Sequence, residues 1–333
     1  MQAFSAPLGN TNVDDVFPHK VTVSTSARLH FGFLDPSGRG PRPFGSFGLA
    51  IDRPRTRLCL KRAPRFAITG AEAERTERYL RSMAASLDGK GSYALDVLEA
   101  IPAHAGLGSG TQLALAIGAA LTALESRRMM PRDIAELLGR GKRSGIGIAT
   151  FEQGGLVLDG GPADGGVPKL VARVPFPAEW RVILILDAGA QGLAGPDEMQ
   201  AFQALPEFPE DKSLDLRRRV MDVALPAAAE ADFDAFCREV AHLQAEMARY
   251  FGPQQGGAYV SPRVADAQHW LAGRGLVGLG QSSWGPTGFA FVASEAEGNA
   301  LLEQMRQENR FSALQFVLAR GHNDGATVLP SKV

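Results

Sequence analysis

The chain has 333 residues, 45% hydrophobic and 21% charged, with a formal net charge of −1. That length exceeds one small core, so two packed domains of an ordinary globular protein are expected. The charge balance excludes a global attraction to nucleic acid, and no stretch offers the roughly 18 apolar residues of a membrane span.

Residues 1–20 form a polar tail without period and without the charged and apolar blocks of a signal peptide, which predicts a cytoplasmic protein. Cys59 and Cys237 lack metal-ligand spacing and read as reduced thiols. "VTVSTSARLHFGFLD" alternates and is rich in β-branched and aromatic residues, which predicts a strand running into the loop "PSGRGPRPFGSFG". Further strands are expected at "LAIDRPRTRLCLKRA" and "SYALDVLEAIP", with a helix over "EAERTERYLRSMAASL" between them. From Arg28 to Arg65 nine basic residues face only Asp35 and Asp52, and arginine predominates. Its planar fork suits phosphate and carboxylate, although a solvated basic face accounts equally well for Arg53 to Arg65.

Thr111 to Leu124 is a predicted helix with Leu113, Ile117, Leu121 and Leu124 on one stripe, and "PRDIAELLGRG" is another. "GIGIATFEQGGLVLDGG" and "WRVILILDAG" read as strands. Periodicity then fades over residues 190–215, which divides a first domain, 21–195, from a second, 215–333. The second half reads as the helices "ADFDAFCREVAHLQAEMARYF" and "SPRVADAQHWLAGRG", the glycine-rich hairpin "LVGLGQSSWGPTGFAFVAS", a helix "EAEGNALLEQMRQ" and a strand near "ALQFVLAR". Strands alternate with helices in both halves, so the class is α+β.

The most informative stretch is "IPAHAGLGSGTQ", where Gly106, Leu107, Gly108, Ser109 and Gly110 lead through Thr111 into a helix. A helix N-terminus presents unpaired amides and a partial positive charge, and glycines let the backbone approach phosphate oxygens. A purely structural turn needs one glycine rather than three around a serine. The Lys-Ser/Thr ending of a Walker A loop is missing, and the spacing is not that of a Rossmann loop.

With Pro102 four residues before Gly106, the loop resembles the P-x-x-x-G-L-G-S-S-A signature of the GHMP kinase superfamily. That resemblance implies a ribosomal-protein-S5-like N-terminal domain and a ferredoxin-like C-terminal domain. Two departures stand out: Gly110-Thr111 replaces the second Ser-Ala, and Gly147 stands where those kinases usually carry an aspartate base. A glycine can neither accept a proton nor orient a hydroxyl. The segments "ARLHFGFLDPSG", "IPAHAGLGSGTQ", "GKRSGIGIATFEQGG" and "GQSSWGPTGFAF" together resemble one branch, the β-ribofuranosylaminobenzene 5′-phosphate synthases.

That second resemblance implies condensation of 5-phosphoribosyl 1-diphosphate with 4-aminobenzoate, releasing diphosphate and CO2 on the way to methanopterin. It also implies a homodimer and Mg²⁺ as cofactor. Mapped onto this chain, it makes the loop Gly106–Thr111 the holder of the phosphates of an activated ribose. Ser109 and Glu152 become candidate Mg²⁺ ligands, and Asp35 a carboxylate near the electron-poor anomeric carbon. Arg28, a candidate catalytic residue with Asp35, and Arg143 would meet the ribose phosphate or the benzoate carboxylate. His30, Ser144, Gly145, Gln281, Ser282, Ser283 and Trp284 would bind substrate, with the indole stacked on the aromatic ring. Blander alternatives exist for several: a turn aspartate before Pro36, an internal salt bridge for Arg28, an exposed Glu152 and a core tryptophan. A small-molecule kinase and a non-catalytic sensor are the competing functions.

Overall fold

The computed structural model describes residues 18–40, 42–87, 91–162, 166–192 and 196–331. The expected tail therefore lies almost wholly outside the described residues. Two long strands organise the first half, β1 (Lys20–Asp35) and β2 (Phe44–Ala63), which pair antiparallel. They are followed by β3 (Ala67–Gly70), α1 (Ala73–Ser86), β4 (Ser92–Glu99), α2 (Ser109–Leu124), α3 (Pro131–Leu137), α4 (Ile146–Gln153), β5 (Leu156–Asp159) and β6 (Leu170–Val174). Next come β7 (Arg181–Asp187), α5 (Pro196–Ala204), α6 (Glu210–Arg219), a π-helical turn (Val220–Ala224) and α7 (Leu225–Ala229). The chain continues through α8 (Phe233–Gln255), α9 (Pro262–Ala272), β8 (Leu279–Gln281), β9 (Gly288–Val292), α10 (Glu295–Gln307), β10 (Leu314–Arg320) and β11 (Thr327–Ser331).

The seven-stranded sheet runs β11-β1-β2-β4-β3, with β5 on β2 and β6 on β5. The second sheet runs β10-β7-β9-β8 and is antiparallel throughout. The α+β class of the sequence reading is what the chain adopts. Two strands cross the division drawn at 195 and 215: β7 pairs in the second sheet, while β11 returns to cover the β1 edge of the first. The tail of the second half thus protects an edge that would otherwise be open.

Alternation decides which core each strand feeds. Val182 and Leu184 of β7 join Phe289 and Phe291 of β9 in a core with Phe31 and Phe236. Ile183, Ile185, Ala290 and Val292 point the other way, onto α9 and α10. In β1 the odd residues Val21 and Val23 pack under α1 and α2, whereas Ala27, Leu29 and Phe31 enter the core shared with the second half. A register shift between Ser26 and Ala27 separates the two sets. The extra residues of that shift lie on β2, between Ile51 and Arg55, and β1 itself bulges further on, between His30 and Gly32.

One expected strand is a helix. The segment Ile146–Phe151 is buried at every position, so it shows no polar face from which a helical period could be read. It folds as α4, and of that expected stretch only Leu156–Asp159 is a strand.

Candidate active site between two interlocked glycine loops

Gly106 and Gly108 both have positive φ, +77° and +85°, a backbone that side-chain-bearing residues rarely adopt. Gly108 is the N-cap of α2, left-handed and without a side-chain cap. Its carbonyl takes the amides of Thr111 (3.1 Å) and Gln112 (3.0 Å), so the first turn presents the uncapped amide end of a helix.

The loop is gripped by the hairpin loop of the second half. A Cβ on Gly106 would stand 2.2 Å from the Ser282 carbonyl, and one on Gly285 would stand 2.3 Å from the Gly106 Cα. The Ser282 hydroxyl donates to the Gly106 carbonyl (2.7 Å) and accepts the His30 amide (3.0 Å), while the Ser283 amide donates to the His30 carbonyl (3.0 Å). Arg28 adds a guanidinium bond to the same Gly106 carbonyl and donates its amide to Leu107 (3.1 Å). Leu107 itself is buried in the core and anchors the loop.

Three guanidinium groups surround the α2 N-terminus. Arg28 Nε lies 3.2 Å from the Cβ position of Gly108, and Arg140 and Arg75 lie 3.3 and 3.7 Å from that of Gly110. Arg140 also reaches the Thr111 hydroxyl at 3.5 Å, and its Nε is buried without a hydrogen-bond partner. Arg75 is held by Glu72 at 2.7 Å. Helix dipole, free amides and three planar cations converge, and such a place binds a multiply charged anion. Arg75 and Arg140 escaped the sequence reading because only the packing of α1 and α3 around α2 brings them there. Ser109 opens α2 beside Glu72, Thr56 and Leu113.

A separate recess on the far side of the hairpin loop is lined by His30, Phe33, Gln244, Met247, Phe251, Gln281, Ser283 and Trp284. His30 is 2% exposed, and neither ring nitrogen has a hydrogen-bond partner. Burial, then the Arg28 charge, and then Arg143 hold its pKa down to about 3, so the imidazole is neutral. Trp284 packs against Phe251 (centroids 4.5 Å apart) and Phe202 (5.4 Å), and its indole N–H is also without a partner. Gln281 is spent within the protein, accepting from Val260 (2.7 Å) and donating to Ser283 (3.1 Å).

Arg143 stacks on Phe202, with its Cζ 4.5 Å from the ring centroid. The residues after it serve as an anchor: Ser144 and the Gly145 amide bond to Asp159, the latter at 2.8 Å. Asp159 was not singled out from sequence, though it ends an apolar strand before two glycines, where a turn aspartate has its own use. Burial pushes its pKa up to about 6 against the pull of the Gly161 and Gly145 amides.

The structure thus brings Arg28, His30, the glycine loop and Ser282 to Trp284 together, with Arg143 near enough for its charge to act on His30. Asp35 sits five residues beyond His30 and is committed to its own turn. It accepts the Ser37 amide (3.2 Å), the Ser37 hydroxyl (2.6 Å) and the Gly40 amide (3.0 Å). That geometry makes it the anchor of the β1–β2 loop and gives no support to a charge facing a reacting carbon. Glu152 is half-buried, and the charges acting on it are Arg132 and Asp133 of α3 rather than the glycine loop. Among the described residues no group of three His, Cys, Asp or Glu side chains could hold a metal ion. Among the described residues no helix is long and apolar enough to cross a membrane.

Residues 73–155 match the GHMP kinases N terminal domain, and residues 224–310 match the GHMP kinases C terminal family. The β-ribofuranosylphenol 5′-phosphate synthase of Archaeoglobus fulgidus is 33% identical over 297 residues, covering 83% of this chain and 89% of that protein. The synthase of the same name from Methanocaldococcus jannaschii is 30% identical, covering 81% and 88%. The solved homoserine kinase of Cytophaga hutchinsonii superposes with a TM-score of 0.66 at 16% identity, over 98% of this chain and all of that one. The mevalonate diphosphate decarboxylase of Enterococcus faecalis gives 0.66 at 15%, over 94% and 99%. At those identities the structures establish the GHMP fold and nothing finer.

Two predictions follow from the geometry. Gly285→Ala forces a methyl into backbone, and a loss of at least about 1–3 kcal/mol is expected in denaturant unfolding. An unchanged midpoint would mean that the loops do not interlock. For His30, the folded pKa lies below the unfolded value near 6.5, so its contribution is complete above that value and is lost as pH falls toward 3. Asp159, shifted the other way, opposes it between about pH 4 and 6. The test is therefore a difference: from pH 6 to 4, wild type should lose about 1.4 kcal/mol per pH unit more than His30→Gln. Parallel curves would contradict a buried neutral His30.

Proposed function

This chain belongs to the family of the β-ribofuranosylphenol 5′-phosphate synthases, and from that premise we propose that it joins 5-phosphoribosyl 1-diphosphate to a para-substituted benzoate. The observation that carries the reading is the collar of Arg28, Arg75 and Arg140 on the uncapped N-terminus of α2, beside a recess walled by aromatic side chains. Such a pair of subsites suits a multiply phosphorylated sugar next to an aromatic acid.

In this reaction the bond from the anomeric carbon to the diphosphate oxygen breaks, and its electron pair leaves with diphosphate. The ring carbon bearing the carboxylate supplies the pair for the new C–C bond. Loss of CO2 returns the carboxylate bond's electrons to the ring and restores aromaticity. A phenol product, the one the relatives' names print, corresponds by this balance to 4-hydroxybenzoate as acceptor; an aminobenzene product corresponds to 4-aminobenzoate.

The protein's part is mostly electrostatic and geometric. The α2 amides, Arg28 and Arg140 neutralise charge that grows on the leaving diphosphate, and the apolar recess keeps water from the electron-poor sugar carbon. Mg²⁺ enters this proposal as the diphosphate's own counterion, which needs few protein ligands. A homodimer and a cytoplasmic location complete the proposal.

A kinase reading is disfavoured at Gly147. Glycine there supplies no carboxylate to take a proton, and a Cβ at that position would crowd the Thr111 methyl at 3.0 Å.

The test is to mix the protein with 5-phosphoribosyl 1-diphosphate, Mg²⁺ and 4-hydroxy- or 4-aminobenzoate and to measure diphosphate and CO2. Equal amounts of both products are expected; phosphorylation from ATP with no such release would select the kinase. Arg140→Ala should weaken donor binding about tenfold or more, as expected for the loss of a charge-assisted hydrogen bond. Unaltered donor affinity would remove Arg140 from the site.

A further inference from the structure

Trp284 and His30 present an unusual pair of buried polar groups. Both side chains are more than nine-tenths buried, both line the recess, and three nitrogens between them lack a hydrogen-bond partner. Leaving such groups unpaired is costly, so a core that needed only apolar filling would not carry them. An indole N–H can only donate, whereas a neutral imidazole can donate with one nitrogen and accept with the other. The recess therefore asks for a ligand atom that accepts one hydrogen bond and can also give one. A hydroxyl oxygen does both. An aromatic amine donates twice, and its lone pair is drawn into the ring.

Resting on the synthase reading above, we propose that Trp284, with His30 beside it, is the specificity-determining residue that selects oxygen over nitrogen at the acceptor's para position. During attack on the sugar, the electron pair leaving the ring puts positive charge on the para heteroatom. A hydroxyl relieves that charge by passing its proton to the neutral His30 and becoming a carbonyl, which accepts from the Trp284 N–H. When CO2 departs, its electron pair returns to the ring and the proton returns to the oxygen. An amine becomes an iminium instead. That group keeps its hydrogens and offers no lone pair to the indole.

The surroundings set which acids His30 can act on. Arg28 and Arg143 both press on His30 with positive charge, which weakens it as a base. With its pKa near 3, His30 cannot deprotonate a resting phenol, whose pKa is near 10. It can take the proton from a protonated carbonyl, which is a far stronger acid. Proton transfer is thereby tied to bond formation. On the other wall, Gln244 and Gln281 are occupied by backbone partners, so they do not compete for the para group.

The experiment compares kcat/KM for 4-hydroxybenzoate and 4-aminobenzoate at saturating donor in wild type and in Trp284→Phe. The ratio of hydroxy to amino is expected to fall about tenfold or more, with Trp284→His, which regains an N–H, restoring part of it. An unchanged ratio, with both acceptors slowed alike, would show that the indole is only packing or holds the shared carboxylate, and would overturn the proposal. If wild type uses neither acceptor, it is the synthase reading that fails. Should Trp284→Phe not fold, the indole N–H resonances of the wild type decide. The chain has three tryptophans, and Trp180→Phe and Trp270→Phe identify the Trp284 signal by elimination. A downfield shift with 4-hydroxybenzoate that unsubstituted benzoate does not produce is expected. The same shift with both ligands would overturn the proposal.

Discussion

The Gly106 carbonyl holds the site together. It accepts from Ser282 of the second half and from Arg28 of the first strand, while the Ser282 hydroxyl in turn accepts the His30 amide. These bonds form only because two glycine backbones, 106 and 285, approach to a distance no side chain permits. Everything functional hangs from that contact. It fixes the start of α2, sets the hairpin loop over β1, and closes a recess whose walls come from opposite ends of the sequence. Separated, neither loop would define a subsite.

Glycine here serves close approach as much as turn formation. The same fold carries kinases and decarboxylases, so the architecture alone does not choose a chemistry. What differs is local. A glycine at 147 offers no base beside Thr111, and the recess beyond His30 is walled by Phe33, Phe251 and Trp284. A site poor in carboxylates and rich in arginine favours reactions in which an anionic leaving group carries the chemistry.

Much of this was legible in the sequence, for definite reasons. Alternation marked β1, a helical stripe marked α2, and the clustered glycines of 106–110 announced a loop that must approach something closely, while β7 shows as an unbroken apolar run. The α4 segment was not legible, since an entirely buried helix has no polar face. Strand β11 was missed because an edge strand of five mostly exposed residues carries little pattern. Arg75 and Arg140 were invisible for another reason: their meeting at Gly110 is a product of tertiary packing. At Asp35 the sequence leaves a turn role and a site role both open. An aspartate before proline has a turn to hold, and the structure finds both its oxygens doing so.

The most direct measurement is a crystal structure with 5-phosphoribosyl 1-diphosphate and Mg²⁺ bound. The account predicts diphosphate density at the first turn of α2, within hydrogen-bond distance of Arg28 and Arg140, with the anomeric carbon facing the recess of His30 and Trp284. Diphosphate bound elsewhere, or a donor whose anomeric carbon faces away from that recess, would contradict it.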